Sequence, residues 1–152
     1  MVLLYAAVFV LTFAGMEVVA FLTHRYLMHG PLWALHRSHH RPRAHWFELN
    51  DLFGLFFAVP SMILIDYGVR GHPYLLSVGL GMTAYGAAYF LFHDVIVHGR
   101  IRLRRAPRFG YLSRITKAHL LHHKTTERDG AQSFGFLYAP PARSAPGAHT
   151  EG

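Results

Sequence analysis

The chain has 152 residues, room for one domain, and is 52% hydrophobic with only 15% charged residues. A soluble domain averages about 25% charged, so this deficit and the long apolar runs argue for a membrane protein. There is no cysteine, which excludes disulfides and thiolate metal sites, and the net charge of +7 matters by where it sits. Three apolar segments follow in chain order: Val2–Leu22, Leu52–Val69 and Tyr74–Phe92. Each approaches the roughly 20 residues that cross a bilayer core at about 1.5 Å per residue. No basic stretch precedes the first, so it reads as a retained span, not a signal peptide. The second and third carry Gly, Pro, Ser and Thr, which membrane helices use for close packing. An amphipathic stretch near Phe109–Thr116 suits a helix lying along the membrane. The Pro-, Ala- and Gly-rich segment Ala139–Gly152 reads as a disordered tail, leaving residues 1–138 as the membrane domain.

Three spans put the N-terminus and the turn near Arg70 on one side. Residues 23–51 and everything after 93 fall on the other. Of the 15 Lys and Arg, only Arg70 lies on the first side. The positive-inside rule therefore makes the second side cytoplasmic. The basic run from Arg100 to Arg108 serves orientation and anionic lipid, and needs no nucleic-acid partner.

Ten of the 13 histidines form one two-part pattern written twice. His24-x4-His29 is followed by His36-x2-His39-His40, and His93-x4-His98 by His119-x2-His122-His123. All ten fall on the expected cytoplasmic side. On a helix, positions i, i+3 and i+4 lie within about 100° of one another, so each H-x-x-H-H leans three imidazoles toward one point. Positions i and i+5 are about 140° apart. An H-x4-H pair therefore shares a metal only if the helix end unwinds; otherwise its members serve two metals. Ten imidazoles exceed the four to six ligands of one non-haem ion, which suggests two metals, and imidazole suits Fe, Zn, Cu and Ni. Two redox metals can activate O2; one structural zinc cannot. His72, on the other side, His149, in the tail, and His45, outside the spacing, are expected not to be ligands.

Glu17 and Asp66 are ionisable groups inside spans, which defaults to a functional or pairing role. Asp66 lies near the far end of its span, where interfacial exposure accounts for it. Glu17 is about two turns before His24 and is a candidate to support that ligand. Asp94 follows His93 and is placed either to orient an imidazole or simply to be solvated. Asn50-Asp51 opens the second span as a cap.

The strings HRYLMHG, LHRSHHRPR, FELNDLFGLFFA, GMTAYGAAYFLFHDVIVHGR, AHLLHH and RDGAQSFGFLYAPP resemble those of the bacterial-type beta-carotene 3-hydroxylases. These belong to the fatty acid hydroxylase and sterol desaturase superfamily of membrane di-iron enzymes. The resemblance runs from about residue 15 to residue 141. It implies an all-α membrane protein: three or four transmembrane helices with a cytoplasmic, histidine-rich metal-binding cap. It implies O2-dependent hydroxylation at carbon 3 of a beta-ionone ring, taking beta-carotene to beta-cryptoxanthin and zeaxanthin, and canthaxanthin to astaxanthin. By the same resemblance, His24, His29, His36, His39, His40, His93, His98, His119, His122 and His123 inherit the role of ligands to two irons. A ferredoxin-type donor would supply electrons, and a bacterial inner membrane is the expected home.

A carotenoid is apolar and about as long as the bilayer core is thick, so it would enter sideways between spans. Tyr85, Gly86, Tyr89, Phe90 and Phe92 of the third span are candidates to line that route, with Tyr85, Tyr89 and Phe90 foremost. Competing readings keep the metals and change the product (a ketolase, a desaturase or a lipid hydroxylase) or replace catalysis with metal transport. Transport predicts ligands strung along a pore rather than gathered at one interface.

Overall fold

The computed structural model describes residues 1–42, 45–101 and 110–139. Every regular element among them is helical. Helix α1 covers Val2–Leu22 and continues as a wider π-helical turn over Thr23–Met28. A short α2, Trp33–His36, runs into a 3-10 turn at Arg37–His40. Helix α3 is Asp51–Val69. Helix α4, Pro73–Tyr89, again ends in a π-helical segment, Phe90–Val97. Helix α5 is Gly110–His122.

Three of these units are long and apolar enough to cross a membrane: Val2–Met28, Asp51–Val69 and Pro73–Val97. At about 1.5 Å per residue, the 19 residues of α3 span roughly 28 Å. Leu11, Leu55, Phe56, Met62 and many like them are exposed along these helices, as lipid-facing residues are. The bundle closes through small residues rather than a large apolar core. A Cβ on Gly79 of α4 would meet Ser61 O of α3 at 2.9 Å. One on Gly81 would meet Phe9 O of α1 at 2.8 Å, so α4 packs tightly on both neighbours.

At the end holding Met1 and Arg70, Tyr5 meets Tyr74 edge-on, and Arg70 donates to both Asp66 oxygens at 2.9 Å in an exposed pair. Asp66 is thus accounted for as interfacial. At the opposite end α2, its 3-10 turn, α5 and the chain from Thr125 to Ala139 form a cap. Ala139 is buried there, and the rest of the expected tail, including His149, lies outside the described residues. The amphipathic stretch near Phe109–Thr116 falls at the start of α5, with Phe109 outside the described residues.

Candidate metal centre

The two H-x4-H pairs sit on the two π-helical segments. There the His29 N–H donates to His24 O at 3.0 Å, and the His98 N–H to His93 O at 2.9 Å. These are i→i+5 bonds, so residues five apart stack on one face. The helix ends widen rather than unwind, and the two rings of each pair fall in one group.

The H-x-x-H-H boxes behave otherwise than expected. Each divides two to one instead of pointing at a single centre. His24, His29, His36, His40 and His122 form one group, and His39, His93, His98, His119 and His123 the other. Within each group the five candidate ligand nitrogens lie within 4.8 Å of one another. The outer members of a box, four residues apart, join the H-x4-H pair that precedes them. The middle member crosses to the other group. Two half-sites are thus interlocked, and neither is complete without the other. The reason is angular: on a helix i+3 and i+4 differ by about 100°, enough to face two centres.

The donor chemistry fits metal ions. In the first group His24, His29, His40 and His122 donate Nδ1–H to the carbonyls of Phe134, Arg128, Thr125 and Gln132, at 2.7–3.1 Å. His36 Nδ1 donates to Asn50 Oδ1 at 2.7 Å. A neutral imidazole that carries its proton on Nδ1 leaves a lone pair on Nε2. These lone pairs converge. His24 Nε2 is 3.1 Å and His40 Nε2 3.2 Å from His36 Nε2, and His29 Nε2 is 3.1 Å from His122 Nε2. In the second group His39 and His93 Nε2 are 2.9 Å apart, as are His98 and His119 Nε2. Bare lone pairs at such distances repel unless a cation lies between them. Adjacent donors placed about 2.1 Å from a common ion, at right angles, lie about 3 Å apart.

Burial keeps these rings neutral. It is the largest cause at His29, His36, His39, His40, His119, His122 and His123, and crowding by other imidazoles adds to it at all of these but His29. His36 and His122 are pushed down to about 3, His40 to about 4 and His123 to about 2. His39 and His119 lie well below the usual imidazole value, and His29 is lowered by burial. These seven rings are thus held as neutral nitrogen donors at neutral pH.

The groups differ in their outer partners. Those of the first are uncharged carbonyls and one amide. In the second, His39 Nδ1 donates to Glu48 Oε2 at 3.2 Å, and His93 Nδ1 lies 3.7 Å from Asp94 Oδ2. Carboxylates beside a ligand raise its basicity. Asp94 also lies 3.4 Å from Arg100, which bonds Asp51 at 2.7 Å.

An apolar cavity of about 640 Å³ opens between α1, α3 and α4 and ends on His24, His93 and His119. Tyr85, Gly86, Tyr89 and Phe90 line it, as expected from sequence; Phe92 does not. Its size falls within the range of small-molecule pockets. The Tyr89 hydroxyl is 3.4 Å from His93 Nε2, so the wall and the second group meet there.

Asn50 and Glu17 take different roles from those expected. Asn50 stands at the start of α3 without a side-chain cap bond; its amide serves His36 instead. Among the described residues Glu17 makes no hydrogen bond to an imidazole and binds the backbone of residues 136–138. His45 and His72 belong to neither group. The carbonyls at 125–134 were not visible to sequence reasoning, because any residue can supply one. Glu48 was missed because its nine-residue offset from His39 follows no helical period.

Relatives are consistent with this geometry. The chain is 50% identical to the beta-carotene hydroxylase of Pantoea ananas over 136 residues, 90% of this chain and 78% of that one. It is 49% identical to that of Paracoccus sp. (strain PC1) over 133 residues, covering 87% and 82%. It is 38% identical to beta-carotene 3-hydroxylase 2, chloroplastic, of Arabidopsis thaliana over 130 residues, covering 83% and 42%. No solved structure matches. The fatty acid hydroxylase model matches residues 9–139, nearly the whole described helical unit and all ten clustered histidines, and the chain belongs to the fatty acid hydroxylase family.

Proposed function

We propose that this chain is a beta-carotene hydroxylase that oxidises carbon 3 of the beta-ionone ring within a membrane domain spanning residues 1–138. One iron would be held by His24, His29, His36, His40 and His122, the other by His39, His93, His98, His119 and His123. The observation that carries the reading is the pairing of two five-nitrogen groups with the inner end of an apolar cavity, in a chain half identical to bacterial beta-carotene hydroxylases. Bound irons would supply the O2-dependent oxidising power that an unactivated ring C–H demands.

The chain's own residues do the rest. The outward Nδ1–H bonds fix the tautomer of all five rings of the first group and of His39, and aim each Nε2 inward. Tyr85, Tyr89 and Phe90 offer aromatic walls to an apolar ring and exclude water from the inner end. The open apolar gap between spans suits a substrate dissolved in lipid. O2 is the co-substrate, and two electrons per turnover come from a ferredoxin-type donor. The skew of Lys and Arg toward the histidine side supports a bacterial inner membrane with the metals facing the cytoplasm.

The test is product analysis. Cells that make beta-carotene and express this chain should accumulate beta-cryptoxanthin and zeaxanthin. Unchanged beta-carotene, or a 4-keto product, would overturn the reading.

A further inference from the structure

Glu17 sits on α1 within a membrane span, where an ionised side chain is expensive unless it is well satisfied. It is satisfied by an unusual set of partners. Oε1 accepts from the N–H groups of Phe136, Leu137 and Tyr138 at 2.7, 2.9 and 3.0 Å. Oε2 accepts from Leu137 N at 3.0 Å and from the Tyr85 hydroxyl at 2.8 Å. Among the described residues no backbone carbonyl accepts from those three N–H groups. One carboxylate thus replaces the missing secondary structure at the end of this segment, and Tyr111 of α5 adds a bond to Leu137 O.

The same segment supplies four of the five outer partners of the first histidine group. Thr125, Arg128, Gln132 and Phe134 bond His40, His29, His122 and His24 through their carbonyls. The Phe134 ring also packs on His24, His29 and His122. Among the described residues, the strap's hydrogen bonds to these rings all go to the first group, while Phe136 packs near His93 of the second group and on Tyr89, which stacks on His93. Moving the anchored end of the strap therefore loosens hydrogen-bonded partners of the first group and ring packing alone at the second.

We infer that Glu17 is a positioning residue for the first metal group, acting through the Thr125–Tyr138 strap rather than by a hydrogen bond to an imidazole. The inference rests on the ligand assignment proposed above. Glu17→Gln keeps the shape but replaces charge-assisted bonds by weaker neutral ones and puts an N–H2 where Oε2 accepts from Leu137 N and the Tyr85 hydroxyl, so the strap end is held less firmly. Gly135→Ala reaches the same strap independently, because its Cβ would meet Tyr138 O at 2.5 Å.

The test is a cobalt(II) titration of the full-length chain, purified in detergent and stripped of metal, followed by visible absorption and metal analysis. The unsubstituted chain should take up two ions. Loss of an outer partner commonly weakens a site about 10- to 100-fold, and one site in Glu17→Gln should weaken about 10-fold with the other unchanged. Gly135→Ala should repeat the pattern. In a His40→Ala background, which already lacks an intact first group, Glu17→Gln should add no further loss. Two unchanged sites in Glu17→Gln would overturn the inference. So would loss of both sites together in both variants, since Glu17 would then hold only the fold. An unsubstituted chain that binds no cobalt would instead sink the ligand assignment itself.

Discussion

His36 is gripped from both sides. Its Nδ1–H is taken by Asn50, its Nε2 faces those of His24 and His40, and its side chain is 1% exposed. His122 is 0% exposed and is fixed in the same way by the carbonyl of Gln132. Removing either ring takes one donor from five and leaves a void that no neighbour fills. His36→Ala and His122→Ala should each abolish zeaxanthin formation in beta-carotene-producing cells. Each protein should still be recovered in the membrane fraction, because the spans depend on neither ring. Hydroxylation retained by either variant would contradict the ligand assignment. Which histidines matter was legible at this scale, because spacing repeats itself. What holds them was not: a carbonyl partner leaves no mark on residue type, and Asn50 looked like a helix cap.

The decisive element is the π-helical turn. An α-helical reading of His24-x4-His29 puts the rings about 140° apart, and only an i→i+5 turn brings them onto one face. Inserting one alanine after Tyr26, an exposed residue inside the first such turn, separates the two rings by six residues. Neither α nor π winding then places them on one face, since six residues leave them about 120–130° apart, and His29 swings off its group. The insertion variant should enter the membrane normally, lose one of its two metals by elemental analysis, and form no hydroxylated product. Full activity would mean that the register of the wider turn is immaterial. The spans themselves were legible, since about 20 apolar residues have few other uses. The winding at their ends was not, because no residue type marks a π-turn. Each H-x-x-H-H was expected to serve one centre because a spread of about 100° reads as one face. That spread is wide enough for two, in the second box on α5 as in the first, which bends from α2 into a 3-10 turn at Arg37.

For the molecule as a whole, the lipid-facing spans and the cap should respond differently to acid. The spans carry few ionisable groups; ten imidazoles gather in one place where the cap meets the span ends. His36 and His122 are held at about 3 and His40 at about 4, against about 6.5 for histidine in an unfolded chain. Between those limits the unfolded cap binds protons that the folded cap refuses, so stability falls as pH falls. The contribution is intact above about pH 6.5. Below it, each such ring removes about 1.4 kcal/mol per pH unit until its own folded value is reached. Metal binding acts in the same direction, since protons compete for the same nitrogens. The purified chain should therefore lose metal and show a lower melting temperature between pH 6.5 and 4.5. Its helical circular dichroism should change little, because most of the helix lies in the spans. A melting temperature flat across that window would mean that the folded cap takes up as many protons as the unfolded chain, so that its rings are not held neutral. Protonated imidazoles cannot ligate, and the neutral donor set on which both metal groups depend would not exist.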